Sequence, residues 1–280
     1  MKDSFLYKLG KSAFDLSSRS FVMGVLNVTP DSFSDGGKYL DPEAAVKHAI
    51  EMENDGADII DIGGQSTRPG SLEISLDEEL KRVIPVIKEV VKTVKIPVSV
   101  DTYRSVIANE ALKYGAVIVN DISGFNFDKS MPKVIANHNA TAVIMHIKGT
   151  PENMQTDIKY TDLIGEISAY FENASWTANV VGIKQIIIDP GIGFGKSTEQ
   201  NLQIIKKLSS FKKLDSPIMV GVSRKSMIGK ILGIDDVNDR LEGTIALNTL
   251  ALVNGANIIR VHDVREGVRT ARMFDAFRKA

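Results

Sequence analysis

Eight short apolar runs recur along the chain, at residues 22–27, 58–62, 98–101, 117–121, 142–146, 186–189, 218–223 and 258–262. Seven of them close on a polar residue that a buried strand has no structural use for. Segments with helical spacing lie between them, for instance 43–55, 76–94, 200–211 and 241–254. Strand-then-helix alternation repeated eight times predicts a parallel sheet closed into a (β/α)₈ barrel. In such a barrel the C-terminal strand ends share one rim. Asn27, Asp101, Asn120, Asp189, Arg260 and His262, far apart in sequence, are therefore expected around one mouth.

The length of 280 residues suits one barrel, typically about 250 residues. We read 1–280 as a single domain, because no linker, low-complexity tract or charge block interrupts it. Residues 1–20 are left over as a short extension, expected as a hairpin across the bottom of the barrel. A net charge of −1 gives no general attraction for nucleic acid or an anionic membrane, so charge in the site must be local. No apolar stretch approaches the roughly 18 residues that span a bilayer. The first twenty residues carry Lys2, Lys8, Lys11 and Asp15 and lack a signal-peptide core. With no cysteine there are no disulfides, thiolate nucleophiles or cysteine zinc sites, and a cytoplasmic location is expected.

Three rim loops, 29–39, 63–74 and 148–156, stand out, and the first two are rich in Gly, Ser, Asp and Pro, as loops that carry function often are. The stretch from Pro190 to Ser197 imitates a phosphate-binding P-loop but has Pro190 where the first glycine belongs. A dinucleotide fingerprint starting at Gly191 fails in turn at Lys196. The four histidines show no HExxH spacing, so a histidine metal centre is not indicated.

What remains is chemistry at strand ends. Asp101, Asn120 and Asp189 each follow an apolar run. Any one of them alone reads equally well as a helix cap. Together around one barrel they suit a flat ligand edge rich in N–H donors, since an amidine-like edge can make two parallel bonds to a carboxylate. Arg260 and His262 alternate on the last strand and so face one side, which suits an anion. Lys225 adds a point charge, Arg224 beside it is expected to point elsewhere, and Ser226 would open a helix toward an anion. The pattern asks for a donor-rich ring, a phosphate-like leaving group and a second anionic substrate.

These residues closely resemble the dihydropteroate synthases, over essentially residues 20–277. The resemblance is carried by 27–37 (NVTPDSFSDGG) and 61–70 (DIGGQSTRPG), with Val119-Asn120-Asp121, Met145-His146, 189–195, Ser223-Arg224-Lys225 and Arg260-Val261-His262. It implies condensation of 6-hydroxymethyl-7,8-dihydropterin diphosphate with p-aminobenzoate, releasing diphosphate and giving dihydropteroate for folate synthesis. It implies that Asp101, Asn120, Asp189 and Lys225 bind the pterin, with Met145 and Phe194 nearby. Asn27, Arg260 and His262 would hold the diphosphate, with Mg²⁺ attached through Asn27. Thr67, Arg68, Pro69 and Ser226 would surround p-aminobenzoate, helped by Phe33. Competition by sulfonamides at that pocket and a homodimer are expected from the resemblance alone. One departure is Gln65, where the second motif is expected to carry Glu.

The chemistry agrees with that implication. Diphosphate leaves well once Mg²⁺, Arg260 and His262 neutralise it. The cation left on the pterin methylene can be offset by Asp31 or Asp35 on the first loop, whose closure would exclude water. An aromatic amine needs little activation, so no catalytic triad is required, and the expected displacement is SN1-like. A pterin-binding methyl-transfer domain would share Asp101, Asn120 and Asp189 but would not need Arg260, His262 or Lys225. A non-catalytic relative should have lost loop residues that are present here.

Overall fold

The computed structural model describes residues 4–29, 42–68, 70–156 and 158–280. A hairpin of β1 (Leu6–Leu9) and β2 (Ser12–Asp15) comes first. Eight parallel strands follow: β3 (Phe21–Asn27), β4 (Ile59–Gly63), β5 (Val98–Asp101), β6 (Ile118–Asp121), β7 (Thr141–Met145), β8 (Ile186–Asp189), β9 (Met219–Val220) and β10 (Ile258–Val261). Their order in the sheet is β8-β7-β6-β5-β4-β3-β10-β9, and a parallel bridge between Ile188 and Ile218 joins the two ends. The helices are α1 (Pro42–Asp55), α2 (Leu76–Thr93), α3 (Ser105–Lys113), α4 (Met131–Asn137), α5 (Leu163–Val181), α6 (Thr198–Lys206), α7 (Ser226–Leu232), α8 (Leu241–Val253) and α9 (Val264–Lys279). The molecule is the expected (β/α)₈ barrel.

Alternation along each strand sorts side chains between two cores. Val22, Ile60, Val98, Val119, Ala142, Ile188, Val220 and Ile259 point outward and pack with the helices. Met23, Ile59, Ile118, Val143, Ile187, Met219 and Ile258 point inward and form an apolar floor. Leu9 and Leu16, on either side of β2, plug that floor from below. The Tyr7 hydroxyl donates to the Ile186 carbonyl at 2.7 Å, and Asn257 Nδ2 donates to the Leu16 carbonyl at 2.9 Å, which ties this extension to the start of the strands.

Strand period two then dictates the next inward layer. Two residues beyond Ile59, Ile118, Val143, Ile187 and Ile258 stand Asp61, Asn120, Met145, Asp189 and Arg260. A polar storey thus sits on an apolar floor.

Two elements differ from their sequence patterns. The run at 218–223 makes only a two-residue strand, because a turn bond from Lys225 N–H to the Val222 carbonyl at 3.2 Å takes the chain out of the sheet. The helical run at 200–211 stops being α-helix after Lys206 and continues as a 3₁₀ segment, Leu208–Leu214. Leu208 and Phe211, three apart and both buried, match the tighter helix's repeat.

Candidate active site

Arg260 is the hub of the polar storey. Its Nε donates to Oδ2 of Asp61 at 2.7 Å and its Nη2 to Oδ2 of Asp101 at 2.7 Å. Asn120 Nδ2 donates to the same Asp61 oxygen at 2.9 Å. Burial pushes the Asp101 carboxyl up to about 7 against the opposing pull of Arg260. Only one Asp101 oxygen is engaged by Arg260, so the other is available to a ligand.

Asp189 forms the second acidic position. Its Oδ1 accepts the Gly191 N–H at 2.8 Å, and burial raises its carboxyl above the usual range, opposed by that bond and by Lys225. The Lys225 ammonium lies 4.1 Å from the centre of the Phe194 ring. Burial lowers it to about 8, with Asp189 and Asp101 resisting and Arg260 adding to the fall. Met145, Phe194, Ile122, Ile147 and Met154 make an apolar wall beside these charges. A slot with an aromatic face, a cation and two carboxylates suits a flat, donor-rich ring.

The helix-cap alternative goes to a neighbour. Asp121, not Asn120, accepts from the Ser123 and Phe125 N–H groups, at 2.8 and 2.9 Å, and shapes the following turn.

The glycine-rich stretch that fails as a P-loop is instead a pinned rim loop. The Lys196 ammonium is buried among the carbonyls of Gly191 (2.9 Å), Phe194 (2.8 Å) and His146 (3.2 Å), with His146 Nδ1 at 2.9 Å. Burial and the adjacent ammonium drive the His146 imidazole down to about 2. Gly191 has φ +67, and a Cβ there would meet the His146 carbonyl oxygen at 2.0 Å, so only glycine passes so close to that strand end.

His262 follows β10, and its Nδ1 is 3.0 Å from the Ser223 Oγ. Burial lowers the imidazole to about 4, helped by Arg260 and Arg224. In the free protein the ring is thereby held toward its neutral, hydrogen-bonding form, and the charge expected of it toward an anion would need that anion to raise it again. Arg260 is likewise already shared between two carboxylates. Arg224 turns away, its Nε and Nη2 bound to Asp263 at 3.0 and 2.5 Å.

Asn27 ends β3 half-buried, at the rim. Thr67 is half-buried and Arg68 exposed on the second loop. Gln65 Nε2 donates to the Tyr103 hydroxyl at 2.8 Å, and that hydroxyl donates to Glu73 at 3.1 Å. Arg104 grips Glu73 at 2.6 Å and Glu79 at 2.9 Å, so the second loop is fastened to the start of α3. Ser226 is exposed at the start of α7. Asp31, Phe33, Asp35 and Pro69 lie outside the described residues.

Asp61 and Lys196 are site residues that the sequence reading passed over. Asp61 sits inside a run rather than at its end, but its spacing from Ile59 places it inward.

Against this geometry the comparisons agree with one another. The family described as "Pterin binding enzyme" matches residues 23–262. A Synechocystis dihydropteroate synthase is 47% identical, over 96% of this chain and 93% of its own. The Yersinia pestis dihydropteroate synthase, solved in complex with a sulfonamide drug, superposes with a TM-score of 0.93 at 39% identity, covering 99% of this chain and 100% of that one. The Clostridium difficile enzyme, solved in the presence of pteroic acid, gives 0.88 at 44% identity, covering 98% and 100%. A barrel mouth built to grip a donor-rich ring, and these matches along nearly the whole chain, make it a member of the pterin-binding enzymes and, among them, of the dihydropteroate synthases.

Proposed function

We propose that this mouth joins the methylene of 6-hydroxymethyl-7,8-dihydropterin diphosphate to the amine of p-aminobenzoate by an SN1-like displacement. As a dihydropteroate synthase the chain is a transferase of folate biosynthesis. The observation that carries the proposal is the bond from Arg260, a cation that suits the leaving group, to Asp101, an acid that suits the pterin edge.

In this reading Asp101 and Asp189 accept from the ring's N–H groups, Asn120 adds an acceptor, and Lys225 donates across the Phe194 face. The methylene carbon–oxygen bond breaks with its electron pair going to diphosphate, and the ring shares the resulting positive charge. Arg260 and a neutral His262 N–H hold the departing oxygens. The amine lone pair then forms the C–N bond, and the amine releases a proton. Asp31 or Asp35 offsets the cation, while Phe33, Thr67, Arg68, Pro69 and Ser226 enclose p-aminobenzoate, the pocket a sulfonamide would imitate.

Among the described residues no cluster of three metal-binding side chains occurs. Asn27 offers one hard, neutral oxygen, which fits Mg²⁺ only as one ligand among substrate phosphates and waters. When bound there, Mg²⁺ would supply further charge neutralisation for the diphosphate. The diphosphate substrate is therefore expected to bind before p-aminobenzoate.

A homodimer is part of the proposal. Leu250 and Val253 on α8, and Met273 and Phe277 on α9, leave apolar side chains exposed at helical spacing, a face that a second copy would cover. So is a cytoplasmic location, since a multiply charged diphosphate ester does not cross a bilayer and must be used where it is made. No helix among the described residues is long and apolar enough to cross a membrane.

The displacement is tested by placing a heavy-oxygen label in the bridging position of the pterin diphosphate and incubating it with enzyme and Mg²⁺ without p-aminobenzoate. Scrambling of the label into non-bridging positions is expected from reversible ionisation. Intact label, with turnover proceeding once the amine is added, contradicts an SN1-like step.

A further inference from the structure

Which end of the Asn120 amide faces the ring decides what it can read, and Asn120 alone does not decide it. An amide carries donors at one end and an acceptor at the other, and its two orientations have nearly the same shape. Here Nδ2 donates to Oδ2 of Asp61, a residue with no exposed surface. A carboxylate only accepts, so turning the amide over would set two oxygens against each other. Among the described residues, Oδ1 of Asn120 is buried without a hydrogen-bond partner, as is Oδ1 of Asp61. The oxygen that already holds Asn120 also takes Nε of Arg260 at 2.7 Å.

We propose that Asp61 is a positioning residue for the synthase reaction: it fixes Asn120 with its carbonyl free for the pterin edge and anchors Arg260 beside it. One oxygen thereby ties the ring-reading side of the mouth to the side that holds the leaving group. Asp61 does this without having to touch the substrate. The inference rests on the pterin reading of this mouth, and it makes Asp61 different from a counter-charge that merely balances Arg260.

Titration of the full chain with 6-hydroxymethyl-7,8-dihydropterin, which lacks the diphosphate, separates the two roles. Asp61→Asn replaces an acceptor-only group with one that can donate, which frees Asn120 to turn, and the affinity is expected to fall about tenfold or more. In an Asn120→Ala background, where no amide is left to orient, Asp61→Asn is expected to cost much less than it does alone, a coupling that independent sites do not show. Wild-type affinity in Asp61→Asn, or the same loss in both backgrounds, overturns the proposal. A wild-type chain that fails to bind the pterin overturns the reading beneath it as well. Should Asp61→Asn fail to fold, proton exchange at the Asn120 side-chain amide in the wild-type protein gives the same test. Slow exchange with and without pterin is expected, and fast exchange contradicts the positioning role.

Discussion

The Ser223 hydroxyl accepts the backbone N–H of His262 at 3.2 Å and lies 3.0 Å from Nδ1 of the same residue. A hydroxyl oxygen has two lone pairs, so Ser223 can donate its proton to Nδ1 or accept a second bond from it; donation leaves the neutral ring's own proton on Nε2. Burial lowers the imidazole to about 4 in the free protein, and in the Nε2–H tautomer the neutral ring meets an anion as a donor.

With the hydroxyl donating, Ser223→Ala should let the proton move to Nδ1 and weaken binding of diphosphate with Mg²⁺ by about 1 kcal/mol, the scale of one hydrogen bond. Ser223→Thr, which keeps the hydroxyl, should bind as the wild type does. Calorimetry with inorganic diphosphate decides, and equal losses in both variants would argue for a packing role instead.

Pterin affinity should depend on pH through Asp101. Its carboxyl is held up at about 7 by burial, while pairing with ring N–H groups needs the ionised form. Binding should tighten as pH rises through 7 and release a proton, detectable from the dependence of the binding heat on buffer. Asp101→Asn should flatten this profile and cost roughly 1–3 kcal/mol. A pH-independent wild type would remove Asp101 from the ring edge.

The buried Lys196–His146 pair makes a stability prediction with a definite sign. His146 is lowered from 6.5 to about 2 in the folded chain, so between those values the unfolded state binds the proton and the folded state does not. Its contribution is full above 6.5 and is lost as pH falls, by up to about 1.4 kcal/mol per pH unit. Thermal melts of His146→Gln should lose stability less steeply than wild type between pH 6.5 and 4.5, the upper part of that window. Parallel curves would mean that His146 protonates in the folded state.

Phe33 and Pro69 are assigned from sequence to the p-aminobenzoate pocket. Replacing either with alanine should weaken sulfonamide binding several-fold more than pterin binding. Equal losses for both ligands would make the two loops general supports.

Most of the barrel was legible because two signals coincide in it, an apolar run and the polar residue that ends it. Asp61 escaped that rule because Ile62 follows it, although period two from Ile59 places it inward. Lys196 was hidden for a different reason. Its function is to gather three carbonyls and an imidazole from two separate segments, and no local pattern encodes such a meeting. Gln65 shows the reverse case, an anomaly visible in sequence whose meaning is structural: an amide there can donate to Tyr103 while Glu73 accepts from it. The neutral state of His262 needed the burial and the nearby guanidinium groups to become apparent.

The central claim is that one mouth reads the pterin and releases its diphosphate to the aromatic amine. Purified chain given the pterin diphosphate, p-aminobenzoate and Mg²⁺ should form dihydropteroate and diphosphate in equal amounts, and Asp189→Asn should lose most of this activity while keeping its melting temperature. Release of diphosphate with only the hydrolysed pterin alcohol as its companion, or an Asp189→Asn variant as active as wild type, would contradict the account.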